Sequence, residues 1–327
     1  MSGARRQFAR LGLSLGLCAA LLGVGECALR ADVPENGVTP FRTGTLPGLA
    51  SELRPGFVTR YRGHEVSINA AGFRGPEVTP RRDGELRIAL VGDSFTFGNG
   101  VAFEDTLGEA LAAELARLGR DARVFNCGVP GYNAEHAAIT ARERALALDV
   151  DVLVYVFFAN DLEPSPEREE VPPDAVIDAL YGFPLRSALG QWCAVHVKRW
   201  LPGLSVSGEE RKRAAWAELL QDGGPRVVAA IQSMREAAQA RSAAFAVAVY
   251  PFLAPPEANP FTQVDDFVIE SCRALGVPSV ALREALPEGD ALYDLWSSTW
   301  DSHPDAEGHR RAAALLAPRI AQLAPPR

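Results

Sequence analysis

Four short blocks in this chain carry side chains able to attack or polarise a carbonyl. They are Gly92-Asp93-Ser94-Phe95-Thr96-Phe97-Gly98, Asn126-Cys127-Gly128-Val129-Pro130-Gly131, Ala159-Asn160-Asp161, and Asp301-Ser302-His303-Pro304. Together they hold a hydroxyl, an imidazole, a carboxylate, an amide and glycine backbone N–H groups. Acyl transfer through a serine needs these parts: a nucleophile, a base to take its proton, an acid to orient the base, and donors for the oxyanion. Singly, each block has an ordinary structural explanation. Ser after Gly-Asp is a frequent turn or cap, and Asn160-Asp161 serves equally as a strand exit. Only their joint placement speaks for chemistry.

That placement follows from the pattern between the blocks. Residues 87–91 form a short apolar run closed by Gly92, and Asp105 precedes a stretch with Leu107, Leu111, Leu115 and Leu118 at helical spacing, ending near Gly119. A buried strand thus feeds an amphipathic helix capped by Asp105. The unit recurs: strand 123–126, helix 134–148, strand 150–158, helix 225–241, strand 243–250, helix 263–275, strand 277–281 and a closing helix 306–323. Alternation of this kind implies a three-layer α/β/α domain, a mostly parallel sheet of about five strands with helices on both faces. Ligands in such sheets bind at the carboxyl ends of the strands, where the first three blocks fall; the fourth follows the last strand.

The blocks, in this order, resemble those of the SGNH, or GDSL, esterase family. The resemblance covers about residues 86–320 and implies a flavodoxin-like sheet and serine-dependent hydrolysis of O-acyl esters without metal or other cofactor. Carried over, it makes Ser94 the nucleophile, His303 the general base and Asp301 the acid that orients it. The Ser94 N–H, the Gly128 N–H and the Asn160 amide become the oxyanion hole. Asp93 and Asp161 are expected to be structural. Two positions depart from the family pattern: Phe158 stands where a glycine is frequent, which should narrow the pocket, and Trp300 stands three residues before the histidine, where the acid is usual. Asp301 lies only two before, so a Ser-His dyad helped by a backbone carbonyl stays open beside the triad. Phe95, Phe97, Phe157 and Phe158 crowd the same edge, as acyl-pocket walls or as plain core.

The envelope of the chain narrows the classes further. It has 327 residues, 47% apolar, with 33 basic against 41 acidic side chains and a net charge of −8. This is globular composition without the basic footprint of a nucleic-acid binder. Five cysteines in no metal-ligand spacing argue against a structural metal; two fall in the leader, and Cys127, Cys193 and Cys272 read as buried thiols. His64, His136 and His196 lack partner signals, and His309 packs within the closing helix.

Residues 1–30 form a leader: Arg5, Arg6 and Arg10 precede 15 uncharged residues, 11–25. This is a signal peptide or, through residues 11–29, a membrane anchor with a cytoplasmic N-terminus. A twin-arginine signal is a minor alternative, and Glu26 before Cys27 argues against lipidation. Either way the body is expected in the bacterial periplasm, released or anchored to the inner membrane. Residues 31–85 read as an extension with short strands near 57–61 and 64–68 and no chemistry of their own. With its Ile68-Asn69-Ala70-Ala71-Gly72-Phe73-Arg74-Gly75 segment, it resembles the extension of exported members. Residues 86–327 form the hydrolase domain, interrupted at 163–224 by an acidic, Pro-rich stretch and an amphipathic segment placed to be a lid or a solvated insertion. The expected partner is an ester, such as an acylated envelope or extracellular polysaccharide. A glycan O-acyltransferase using the same site, or a non-catalytic carbohydrate-binding protein on the same fold, are the alternatives.

Overall fold

The computed structural model describes residues 14, 16–18, 20–28, 37–164, 206–255, 259, 261–298 and 301–324, with backbone only at 206–216. The chain divides into two compact units. One combines Met1–Pro34 with Glu169–Val206, and of it only helical residues between 14 and 28 and Val206 are described. The other combines Glu35–Arg168 with Ser207–Arg327 and holds everything discussed below. Cys193, His196, Trp300, the segment 185–201 and most of the expected insertion lie outside the described residues. Among the described residues no helix is long and apolar enough to cross a membrane.

Five parallel strands form the main sheet: β5 (Leu86–Gly92), β6 (Ala122–Gly128), β7 (Val152–Phe157), β8 (Ala244–Val249) and β9 (Ser279–Ala281), in the order β6-β5-β7-β8-β9. Every residue of β5 and β7 is buried, as continuous apolar runs require when helices cover both faces. Alternation along the strands divides the core. Ala89, Val91, Leu153, Tyr155 and Phe157 pack with helices α3 (Ala134–Glu143), α4 (Val206–Ala240) and α5 (Thr262–Leu275). Ile88, Leu90, Val152, Val154 and Val156 pack with α2 (Leu107–Arg117) and α6 (Ala306–Leu323). Because β6 lies on one side of β5 and β7 on the other, the chain reverses its winding at the end of β5. Ligand crevices of such sheets open at this switch point.

Several boundaries differ from those read in the sequence. The N-cap of α2 is Thr106, not Asp105, and its hydroxyl donates to Phe103 O (2.8 Å) instead of capping the helix. Helix α3 stops at Glu143 and passes into a 3-10 turn, Ala145–Leu148, closed by Asp149 at a φ of 54°. Helix α4 starts well before Pro225, which lies in its interior, although proline is favoured in a first turn. The His303 block does not follow the sheet directly. Two 3-10 turns intervene, and Asp301–Pro304 is itself a strand, β11, paired antiparallel with β10 (Trp296–Ser298).

The extension is built from two hairpins, β1 (Phe41–Thr43) with β2 (Ser51–Leu53) and β3 (Val58–Tyr61) with β4 (His64–Ser67). It packs through Leu49, Leu53, Val66 and Ile68 against Phe97, Val129 and Tyr132, below the ends of β5 and β6. A buried carboxylate fastens it. Glu52 receives Arg42, the Thr45 hydroxyl and Arg144, which follows α3. Burial alone would raise the Glu52 pKa; the hydrogen bonds from Thr45, the charge of Arg144 and the hydrogen bond from Arg42 outweigh it and hold the carboxyl below its ordinary value.

Candidate active site

Ser94 leaves the end of β5 as the first residue of a single-turn helix, α1 (Ser94–Phe97). Two features fix the turn. Gly92 stands at a φ of 156°, where a Cβ would meet Val156 O at 2.5 Å and Thr96 Oγ1 at 2.4 Å, so only glycine fits. Asp93 caps the helix, its Oδ1 accepting from Phe95 N–H (2.9 Å). Gly98 closes it in the left-handed region, its N–H donating to Ser94 O.

The His303 imidazole arrives from β11. The Ser94 hydroxyl donates to its Nε2 (2.7 Å), and its Nδ1 meets Asp301 Oδ1 in a short contact. The Nδ1–H tautomer serves both bonds. The same Oδ1 accepts the His303 backbone N–H (3.1 Å). The two-residue spacing has a simple basis. Side chains two apart on a strand share a face, so Asp-x-His on β11 sets carboxylate beside imidazole without the extra residue a turn needs. Burial would raise the Asp301 pKa. The His303 hydrogen bonds and charge, with the charge of Arg62, outweigh it and hold the carboxyl below its usual range.

Asn160 follows β7 in a 3-10 turn, Ala159–Leu162, and its side chain hydrogen-bonds the Asp93 carboxyl. Asp93 is fully buried, and burial pushes its pKa up. Asp161 is buried as well and accepts from Tyr155 Oη (2.6 Å) and Phe158 N–H (3.2 Å). Burial and the nearby Asp93 charge raise it well above the carboxylate range. Both acids therefore organise the turns that carry Ser94 and Asn160.

Gly128 stands differently from its expected role. Its N–H donates to Asn126 Oδ1 (3.2 Å), and a Cβ on it would lie 2.4 Å from Phe97 N. The glycine is needed so that α1 can pack on β6, and it does not face the cavity. Gly131, three residues on and at a φ of 81°, does.

Ser94, Asn160 and His303 line one cavity of about 520 Å³, walled by Phe95, Phe158, Phe252 and Phe261. Phe158 stacks on Phe95 (centroids 3.9 Å apart), and Phe95 packs on His303; Phe97 and Phe157 are buried core. Part of the remaining wall comes from the extension, through Phe41, Tyr61 and Arg62.

The sequence reading missed the extension's part in this site. Arg74 is buried and donates to Phe97 O (2.9 Å), Gly98 O (2.7 Å) and Val101 O (2.8 Å), the carbonyls at the end of α1 and the loop after it. Burial lowers its pKa to about 10. An arginine set between Phe73 and Gly75, in a segment too irregular for a surface helix, was the available signal. Among the other histidines, His136 shares a capping box with Asn133, and His309 is buried on α6. Cys127 and Cys272 are buried thiols whose pKa burial raises. Among the described residues no three His, Cys, Asp or Glu side chains gather as a metal site would need.

A serine hydroxyl bonded to an imidazole that is itself bonded to a carboxylate, at the switch point of a parallel sheet, is the constellation of a serine-type α/β hydrolase. The sequence pattern of the GDSL-like Lipase/Acylhydrolase family matches residues 90–311, and the chain belongs to that family. It is a hydrolase acting on ester bonds. No curated protein matches it significantly. Among solved structures it is similar to the lipase/acylhydrolase from Enterococcus faecalis, at 17% identity over 74% of this chain and 98% of that one, with a TM-score of 0.45. It is also similar to a catalytic mutant of Axe2, an acetylxylan esterase from Geobacillus stearothermophilus, at 13% identity over 74% and 97% of the two chains, with a TM-score of 0.43.

Proposed function

We propose that the protein removes O-acyl groups from an envelope or extracellular polysaccharide through an acyl-Ser94 intermediate. The observation that carries this reading is the continuous chain Ser94 Oγ, His303 Nε2, His303 Nδ1, Asp301 Oδ1. In the first half-reaction Ser94 Oγ bonds to the ester carbonyl carbon while its proton passes to His303 Nε2. The tetrahedral intermediate then collapses, the C–O bond to the alcohol breaks, and His303 returns the proton to the leaving oxygen. Water repeats the sequence on the acyl-enzyme and releases the acid and Ser94. Asp301 keeps Nδ1 protonated and stabilises the imidazolium.

The oxyanion is assigned to the Ser94 N–H and the Asn160 amide. An amide nitrogen has two hydrogens; with one held by Asp93, the other is left for substrate. The third donor is assigned to Gly131, in place of Gly128, because its backbone faces the cavity. The aromatic walls suit a sugar ring or acyl group. The leader supports export, and the same reading places the domain in the periplasm, released or held at the membrane by residues 11–29.

Turnover of p-nitrophenyl acetate and acetate release from acetylated xylan test the proposal beside Ser94→Ala, His303→Ala and Asp301→Ala. Loss of roughly 10³-fold or more in all three is expected. Loss confined to the first two means a dyad. No turnover, with no fluorophosphonate labelling of Ser94, overturns the reading. Acyl groups kept on glycan rather than freed as acid would mark a transferase.

A further inference from the structure

We propose that Arg62, at the tip of the extension's β3–β4 hairpin, is a positioning residue of the active site that holds Asp301 through the carboxylate oxygen His303 leaves open. The inference rests on the triad reading above and extends it to a segment outside the residues matched to the family.

Two observations carry it independently. The first is the contact. Asp301 Oδ1 is committed twice to His303, through Nδ1 and through the backbone N–H. Arg62 Nη1 lies 3.4 Å from the other oxygen, Oδ2, while its guanidinium stands over the Tyr61 ring at 5.9 Å and borders the cavity that Ser94 and His303 line. A carboxylate bound on one oxygen can rotate about its χ2 angle; a cation on the second oxygen opposes that rotation.

The second observation is backbone strain. Tyr61 pairs with His64, so Arg62 and Gly63 form a two-residue hairpin loop, at φ values of 51° and 83°. Two positive φ angles are the mark of a type I′ turn, whose first position favours Asn, Asp or Gly. Arginine there contradicts local preference. Residues kept against local preference mark sites where function decides the choice, and the side chain this turn presents is the one that reaches Asp301.

The consequence is electrostatic as well as geometric. The groups that act on His303 are Asp301 on its own strand, Arg62 on the hairpin, Asp93 at the end of β5 and His309 on α6. Burial lowers the His309 pKa to about 3, so it adds no charge near neutrality. Arg62 disfavours a second positive charge on the imidazole and weakens Asp301 as its partner. Removing Arg62 therefore changes the field at the imidazole as well as the freedom of the Asp301 carboxylate.

The test uses Arg62→Asn, which gives the turn a residue it prefers, so that a loss of function cannot be ascribed to misfolding. In the full chain in detergent, its Tm is expected to equal or exceed that of the parent. The kcat for p-nitrophenyl acetate should fall about 10-fold with little change in KM. The acid limb of kcat/KM, and the His303 imidazole resonances followed across pH by ¹H–¹⁵N NMR, should differ from those of the parent. Arg62→Lys should return the titration close to that of the parent, and 1 M salt should shrink the difference. An unmoved His303 titration in Arg62→Asn overturns the inference whatever the turnover shows. Parent turnover no greater than that of Ser94→Ala overturns the hydrolase reading instead, and the NMR titration still decides the part of Arg62.

Discussion

At the scale of single residues, the site depends on a few positions with no substitute. Asn160 is the clearest under the proposed mechanism, because its side chain is already hydrogen-bonded to Asp93, which would leave its second hydrogen for the oxyanion. Asn160→Ala should lower kcat by about 100- to 1,000-fold while KM changes little, as steady-state kinetics will show; an equal loss in KM would mean a ground-state contact. Gly92→Ala should unfold the protein at a lower temperature or prevent its accumulation, since the added methyl meets the Val156 carbonyl. The juxtaposition of Ser94, Asp301 and His303 was legible because their types and order are chemically specific. Gly128 and Gly131 could not be told apart as oxyanion donors, because a glycine near a strand end looks alike whether it faces substrate or a packed helix. That difference lies in the path of the following three residues, which no local pattern encodes.

Secondary-structure elements explain why the rest was partly hidden. Strands β7 and β8 were legible because burial on both faces writes an unbroken apolar run, and α6 because its period is regular over 18 residues. The β10–β11 hairpin was not. Trp296–Ser298 and Asp301–Pro304 are short, half-exposed strands without an alternating pattern, and their position is set by tertiary contacts such as Trp296 Nε1 to Leu253 O (2.7 Å). Breaking that bond should loosen the base without touching it. Trp296→Phe is expected to lower kcat several-fold and leave fluorophosphonate labelling of Ser94 measurable but slower, which a labelling time course checks. Arg74 acts on α1 in the same indirect way. Arg74→Met removes three donors from buried carbonyls and should cost about 3 kcal/mol, read as a lower midpoint in urea unfolding.

For the molecule as a whole, stability in acid is tied to the joint between extension and sheet. The Glu52 carboxyl titrates below its ordinary value of 4.5 in the folded protein. Its contribution is therefore complete above that value and is lost as pH falls through the lower, folded one. Glu52→Gln should lower the Tm at pH 7 by about 5 °C and flatten the fall in Tm below pH 4.5; thermal unfolding across pH 3–8 checks both. An unchanged slope would remove Glu52 from the account.

The three carbonyls gripped by Arg74 also bear on how the protein can be divided. A fragment beginning at Leu86, where the alternating strands and helices start, contains every residue assigned to the chemistry. It would nevertheless expose the end of the nucleophile's own helix, strip Asp301 of its second partner and open one side of the cavity. The family-sized piece of this chain is thus expected to be less active than the whole chain. Fragments cut at the sheet boundary should be poor tools for any screen of its substrates.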